Sequence, residues 1–300
     1  MIQEERVLNR FLEYVKIPSE SKNEKDFADK LEEDLKKLGL EVIRDKAYEA
    51  VNGSTGNIIA KLKGDSTKEP ILFSCHMDTV TPGNDIKPVI KDGVIYSDGT
   101  TILGADDKAG IASVMEAITN IIEEDINHPT IEVIFTICEE IGLYGSKNLD
   151  YTKIESKRGF VLDSGDEVGT IINKGPAQDK IEVEIIGKAA HAGVAPENGI
   201  SAINVASKAI SKMNLLRIDE DTTANIGSIQ GGVATNIVCP EVKIEAEARS
   251  TNINSLDKQT NHMVEIFNEV CKAENAKCNI NVNRVYGEFS VDSDDEVIKL

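Results

Sequence analysis

The sequence predicts an α/β fold that carries a smaller inserted domain, and three observations support this. Apolar runs of strand length alternate with helical stretches through the first half of the chain, as in a sheet whose central strands are buried on both faces. From about Gln178 the texture changes to strands of alternating apolar and polar residues. Their order with the intervening helices is β-α-β-β-α-β, that of a small ferredoxin-like sandwich. The length, 300 residues, suits two domains at about 150 residues each. These observations predict a first domain over 1–178, an inserted domain over 179–287, and the start of a return to the first domain over 288–300.

Val7, Leu8, Phe11, Leu12 and Val15 keep helical spacing, and Phe27, Leu31, Leu35 and Leu38 repeat it before Gly39. Short strands are expected at 41–45, 57–62 and 71–75, then a glycine-punctuated loop through 92–104. A helix from Asp107 to Glu123 precedes strands at 130–138 and 159–163. The inserted domain reads as a strand at 179–187, a helix from Ser201 to Met213, and strands at 224–232 and 242–250. A helix from Ser255 to Lys272 and a strand at 278–287 complete it.

Apolar residues make up 40% and charged residues 28%, which is ordinary globular usage and argues against disorder. The net charge of −19 repels phosphate backbones and anionic membranes, so nucleic acid and lipid are poor partners. It also leaves carboxylates to spare for hard cations. The longest uncharged stretch, Thr222 to Pro240, is too rich in Thr, Asn, Ser, Gln and Gly to span a bilayer. The N-terminus mixes acids and bases where a signal peptide needs an apolar core. Five cysteines without paired spacing fit buried thiols in a reducing compartment, so a cytoplasmic protein is expected.

Three apolar strands run into candidate ligands: 71–75 into His76, 130–138 into Glu139 and Glu140, and 159–162 into Asp163. Ligands bind beyond the carboxyl ends of strands in open α/β sheets. Asp106 sits at a helix N-terminus, where free N–H groups favour an anion. Singly, such acids are turn or capping residues, and a Glu-Glu pair is a solvated face. Together, one imidazole and several carboxylates at one sheet edge need a cation between them. His76 and Asp78, two apart on extended chain, point the same way, which suits a ligand imidazole held by a carboxylate. Of the adjacent Glu139 and Glu140, one can bind metal while the other takes a proton from water.

The stretches SCHMDTV, DGTTILGADDKAG, TICEEIGLYGS and VLDSG resemble the di-zinc aminopeptidase family typified by peptidase T. That family belongs to the clan of aminoacylase- and carboxypeptidase-G-like hydrolases, and the resemblance runs in order from about residue 1 to 290. It implies a zinc-peptidase-type mixed sheet flanked by helices, with the insert serving as lid and dimerisation domain. It also implies that His76, Asp106 and Asp163 hold one zinc, and that Asp106 bridges to a second held by Glu140. Asp78 would orient His76, and Glu139 would be the general base. His191 would be a lid histidine supporting the oxyanion, while Asn236 and Arg249 would hold the substrate's terminal carboxylate.

The activity implied is removal of the N-terminal residue from short peptides by a cytoplasmic homodimer. Within the clan, hydrolysis of N-acyl amino acids or release of C-terminal residues is the alternative. Family members supply a further histidine to the second zinc site near their ends, beyond the point where this sequence stops at Leu300. The second site is therefore expected to lack its last ligand, which leaves a catalytically impaired metal-binding or dimerising protein as a third reading.

Overall fold

The computed structural model describes residues 2–300, which form two compact units that divide between Val168 and Gly169.

The first unit opens with helices α1 (Glu4–Val15) and α2 (Lys25–Lys37). Each has an apolar stripe: α1 buries Phe11, Tyr14 and Val15, and α2 buries Phe27, Ala28, Leu31 and Leu35. Strands β1 (Glu41–Arg44), β2 (Ile58–Leu62) and β3 (Ile71–His76) follow. Then come a hairpin, β4 (Pro88–Lys91) and β5 (Val94–Ser97), and the long helix α3 (Ala105–Glu123). Strand β6 (Ile131–Thr136), a single turn α4 (Tyr144–Lys147) and strand β7 (Gly159–Val161) complete the unit.

The five-stranded sheet runs β1-β2-β6-β3-β7. β3 pairs in parallel with both β6 and β7, while β2 is antiparallel to β1 and β6, so the sheet is mixed. β6 is buried at every position, as expected of a central strand covered on both faces, and its run of Val, Ile and Phe is interrupted only by Glu132 before Thr136 ends it. Lys108 at the start of α3 is fully buried. Its Nζ donates to the Tyr14 and Ile17 carbonyls at 3.1 and 2.7 Å and lies 4.5 Å from the Phe27 ring centroid, which ties α3 to the end of α1. Burial pulls that ammonium down to a pKa of about 7.

The stretch from Asp92 expected as a loop begins instead as the tip and second strand of the β4–β5 hairpin. Asp92 and Gly93 both have positive φ, 53° and 79°, as a two-residue type I′ turn requires. Each strand is only four residues long, too short for its alternation to stand out.

The second unit is built on β9 (Ala177–Ile186), helix α5 (Ala202–Ile210), β11 (Thr222–Gly231), β12 (Glu241–Ser250), helix α6 (Ile253–Ala273) and β13 (Lys277–Tyr286). Short strands β8 (Lys174–Gly175) and β14 (Phe289–Ser290) pair with each other, β10 (Leu216–Arg217) pairs with β11, and α7 (Glu296–Lys299) lies near the end. The sheet order is β10-β11-β12-β9-β13, antiparallel throughout. Inner-face residues such as Ile181, Val183, Ile244 and Ala246 share one core with Val205 and Ala209 of α5 and Met263 and Phe267 of α6. The alternation expected at 179–187 and 242–250 is this division into a packed and a wet face. No helix among the described residues is long and apolar enough to cross a membrane.

Candidate metal centre

Because β3, β6 and β7 are parallel, their carboxyl ends share one edge of the sheet. His76 closes β3, Glu139 and Glu140 lie just beyond β6, and Asp163 lies just beyond β7. Asp106 arrives at the start of α3, behind Gly104 in a left-handed conformation, and the regular turns of the helix begin after Asp107. The edge thus collects two ligand groups that share one imidazole. Ligand atoms of His76, Asp106 and Asp163 all lie within 4.8 Å of one another, and so do those of His76, Glu139 and Glu140.

The His76 ring is buried, and its two nitrogens have different roles. Nδ1 donates to the Asp78 main-chain carbonyl at 2.8 Å and lies 3.5 Å from that residue's Oδ1. That bond fixes the ring so that Nε2 faces the carboxylates, 2.8 Å from Asp106 Oδ1 and 3.8 Å from Asp163 Oδ1. The Asp78 carboxylate is fully buried and accepts from Ser21 Oγ at 2.7 Å and from the backbone N–H groups of Glu139 and Glu140 at 2.8 and 3.2 Å. Burial alone would raise its pKa, but His76, Ser21 and the Glu139 N–H outweigh that and hold it below the usual carboxylate range. Asp107, also buried, accepts the His76 N–H at 3.2 Å. Ser21 and Asp107 were not among the residues expected at the site. Asp107 stands beside Asp106 in the sequence, whereas Ser21 has no local signal.

Electrostatically the cluster is short of positive charge. Burial, with Asp106 nearby, pushes Asp163 up to about 7, and burial does the same to Asp107. Glu139 and Glu140 are raised by burial and by neighbouring carboxylates. Burial pulls His76 down, but Asp78, Asp106 and Asp163 outweigh it and push the imidazole up to about 10. A set of acids that hold protons near neutrality around one imidazolium is relieved by a divalent cation, which displaces those protons on binding. One nitrogen and several carboxylate donors, part buried and part exposed, fit zinc.

The three residues expected to meet substrate lie in the second unit. His191 is exposed, and its Nδ1 accepts the Gly193 N–H at 3.2 Å, so its proton sits on Nε2. Its loop pairs with the one bearing Asn236: Ala192 N–H donates to the Asn236 carbonyl and Val238 N–H to the Ala190 carbonyl, both at 2.9 Å. Arg249, near the end of β12, is bonded along one edge of its guanidinium by Glu247, with Nε–Oε1 at 3.0 Å and Nη2–Oε2 at 3.1 Å.

Residues 57–174 match the model of Peptidase family M28, and residues 173–275 match that of a peptidase dimerisation domain. The crystal structure of aminopeptidase PepT from Bacillus cereus is 47% identical with a TM-score of 0.93, covering 99% of this chain and 80% of that one. A tripeptidase structure from Staphylococcus aureus is 42% identical with a TM-score of 0.97, covering 100% of this chain and 80% of that one. Peptidase T of Clostridium perfringens is 30% identical over 336 residues, 95% of this chain and 76% of the relative. With matches of that extent and a ligand cluster where three parallel strands end, the chain belongs to the peptidase T-like family of metallopeptidases.

Proposed function

We propose that this chain is a zinc-dependent aminopeptidase that removes the N-terminal residue of short peptides, tripeptides among them. The observation that carries this is the pair of ligand groups meeting on His76, one imidazole shared by four carboxylates. His76, Asp106 and Asp163 would hold one zinc, and Asp106 with Glu140 a second. Bound zinc supplies Lewis-acid polarisation of the scissile carbonyl and makes water more acidic.

Glu139 is the general base: it is half-buried, its pKa is raised by that burial, and it sits beside the ligands. It takes a proton from the attacking water and passes it to the leaving amine. Asp78 and its main-chain carbonyl hold Nδ1 of His76, which keeps Nε2 directed at the ligand cluster. The Nε2–H of His191 suits a donor to the substrate carbonyl, and Asn236 and Arg249 are assigned to the terminal carboxylate. The order β11-β12-β9-β13, with α5 and α6 on one face, supports a ferredoxin-like lid over 179–287. The match to a peptidase dimerisation domain supports a homodimer through that part of the chain. Five free cysteines, four of them buried, support a cytoplasmic setting.

The test is hydrolysis of a free tripeptide and its N-acetylated form by the zinc-loaded protein. The free peptide should be cut and the acetylated one spared. Glu139→Gln should lower kcat by about 10²–10⁴-fold while zinc content is unchanged. Equal cleavage of both peptides would overturn the aminopeptidase assignment, and an unaffected Glu139→Gln would overturn the base.

A further inference from the structure

Four consecutive backbone N–H groups, from Ile137 to Glu140, donate to side chains where the chain leaves β6. Ile137 donates to Asn57 Oδ1 at 3.0 Å and Cys138 to Glu24 Oε1 at 3.1 Å. Glu139 and Glu140 donate to the two oxygens of Asp78. The acceptors come from three separate parts of the chain. Ile137 and Cys138 are fully buried, and a buried donor left without a partner costs about 1–3 kcal/mol.

Cys138 also has a φ of 51°, in the left-handed region that a side chain disfavours. Such a conformation persists only where its surroundings over-determine it. A left-handed residue redirects the chain that follows, so the conformation at Cys138 sets where Glu139 and Glu140 face. Glu24 is placed to enforce it. Its side chain is fully buried, and Oε1 also accepts the Lys22 N–H at 3.0 Å and the Cys138 thiol at 3.3 Å. Asn57, equally buried, spans the two ends of the turn, since its Nδ2 donates to the Gly145 carbonyl at 2.9 Å. The turn closes so tightly there that a β-carbon on Gly145 would lie 2.3 Å from the Ile137 carbonyl oxygen.

We propose that Glu24 is a positioning residue for the site: its carboxyl oxygen on the Cys138 N–H holds the left-handed turn that aims Glu139 and Glu140 at the ligand cluster, with Asn57 bracing the ends of the turn. This rests on the roles assigned above to Glu139 and Glu140.

Two variants separate acceptor from bulk. Glu24→Gln keeps a carbonyl oxygen for the Cys138 N–H, while Glu24→Met fills the same space without one. Zinc affinity of the full chain is measured by competition with a chromophoric chelator, alongside the cobalt(II) absorption spectrum, the melting temperature of the metal-free protein, and kcat and KM on a tripeptide. Glu24→Met should weaken zinc binding and lower kcat by about 10- to 100-fold and alter the cobalt spectrum, while Glu24→Gln keeps all three. Zinc affinity unchanged in Glu24→Met, or lost equally in both variants, would overturn the proposal.

His76→Ala is the control. If it binds zinc like the wild type, the metal-site reading itself fails; if it loses zinc while Glu24→Met does not, only the role of Glu24 fails. Amide exchange at 137–140 in the metal-free wild type decides the matter even if Glu24→Met does not fold. Protection like that of β6 is expected, and exchange as fast as an open loop would overturn the proposal.

Discussion

Strands β6 and β12 lie in the middle of their respective sheets, yet they are buried differently. β6 is buried at all six positions, whereas β12 alternates, with Val242, Ile244, Ala246 and Ala248 inside and Lys243 and Glu245 outside. A strand covered on both faces accepts a polar group only where every partner is supplied, so the groups that handle water and ions collect where the chain leaves the sheet. A strand with one wet face can carry charge along its whole length at little cost. The position of the metal centre in the first unit follows from that constraint, and the charged outer face of the second unit follows from its absence.

The sharpest way to break this comparison is Glu132, the one charged residue inside β6. It is fully buried and is held by Lys61 Nζ at 3.0 Å and by the N–H groups of Glu155 and Ser156 at 3.0 and 2.7 Å. Glu132→Ala should cost about 3 kcal/mol by leaving those donors unpaired, read as faster amide exchange along β6. A loss no larger than that of a surface substitution would remove the distinction between the two strands.

Asp179 is the corresponding inward-facing acid of the second unit, and it accepts Arg284 Nε and Nη2 at 2.8 and 3.0 Å and Thr260 Oγ1 at 2.8 Å. Burial would raise its pKa, but Arg284 and Thr260 hold it below the ordinary value. Its stabilisation is therefore present above the unfolded pKa of about 4 and is lost as pH falls through the lower folded value. Asp179→Asn should cost about 1–2 kcal/mol at neutral pH, discounted because Arg284 is partly exposed, and should flatten the acid side of the stability profile. An unchanged acid slope in amide exchange of β9 would contradict it. The smallest effect belongs to the wet face: Glu245→Thr should change stability by no more than about 0.5 kcal/mol, because its pairing with Lys180 at 3.8 Å is solvated. A larger loss by chemical denaturation would mean that this face is covered.

Much of this was legible in the sequence, for local reasons. The largely apolar run at 131–136 and the alternation at 241–250 are burial patterns written in side-chain type. His76, Glu139, Glu140 and Asp163 each stand at the end of such a run, and Asp106 at the start of a helix. Arg249 was legible as a charge at a strand end, but Glu247, two residues earlier on the same face, takes up the Nε edge of its guanidinium. Ser21, Glu24 and Asn57 were not legible. They look like ordinary loop and capping residues, and what matters about them is an acceptor or hydroxyl delivered to a partner 57, 114 or 80 residues away.

The four N–H groups at 137–140 also bear on protein engineering. The Glu-Glu turn looks like a compact cassette, yet its acceptors lie on Glu24, Asn57 and Asp78. Grafted alone onto another sheet, residues 136–146 would carry donors with nothing to receive them, at about 1–3 kcal/mol for each one buried. A recipient scaffold would need all three acceptors as well. Cutting the chain at the exposed Asp92–Gly93 hairpin tip, by contrast, would leave every one of these bonds in place.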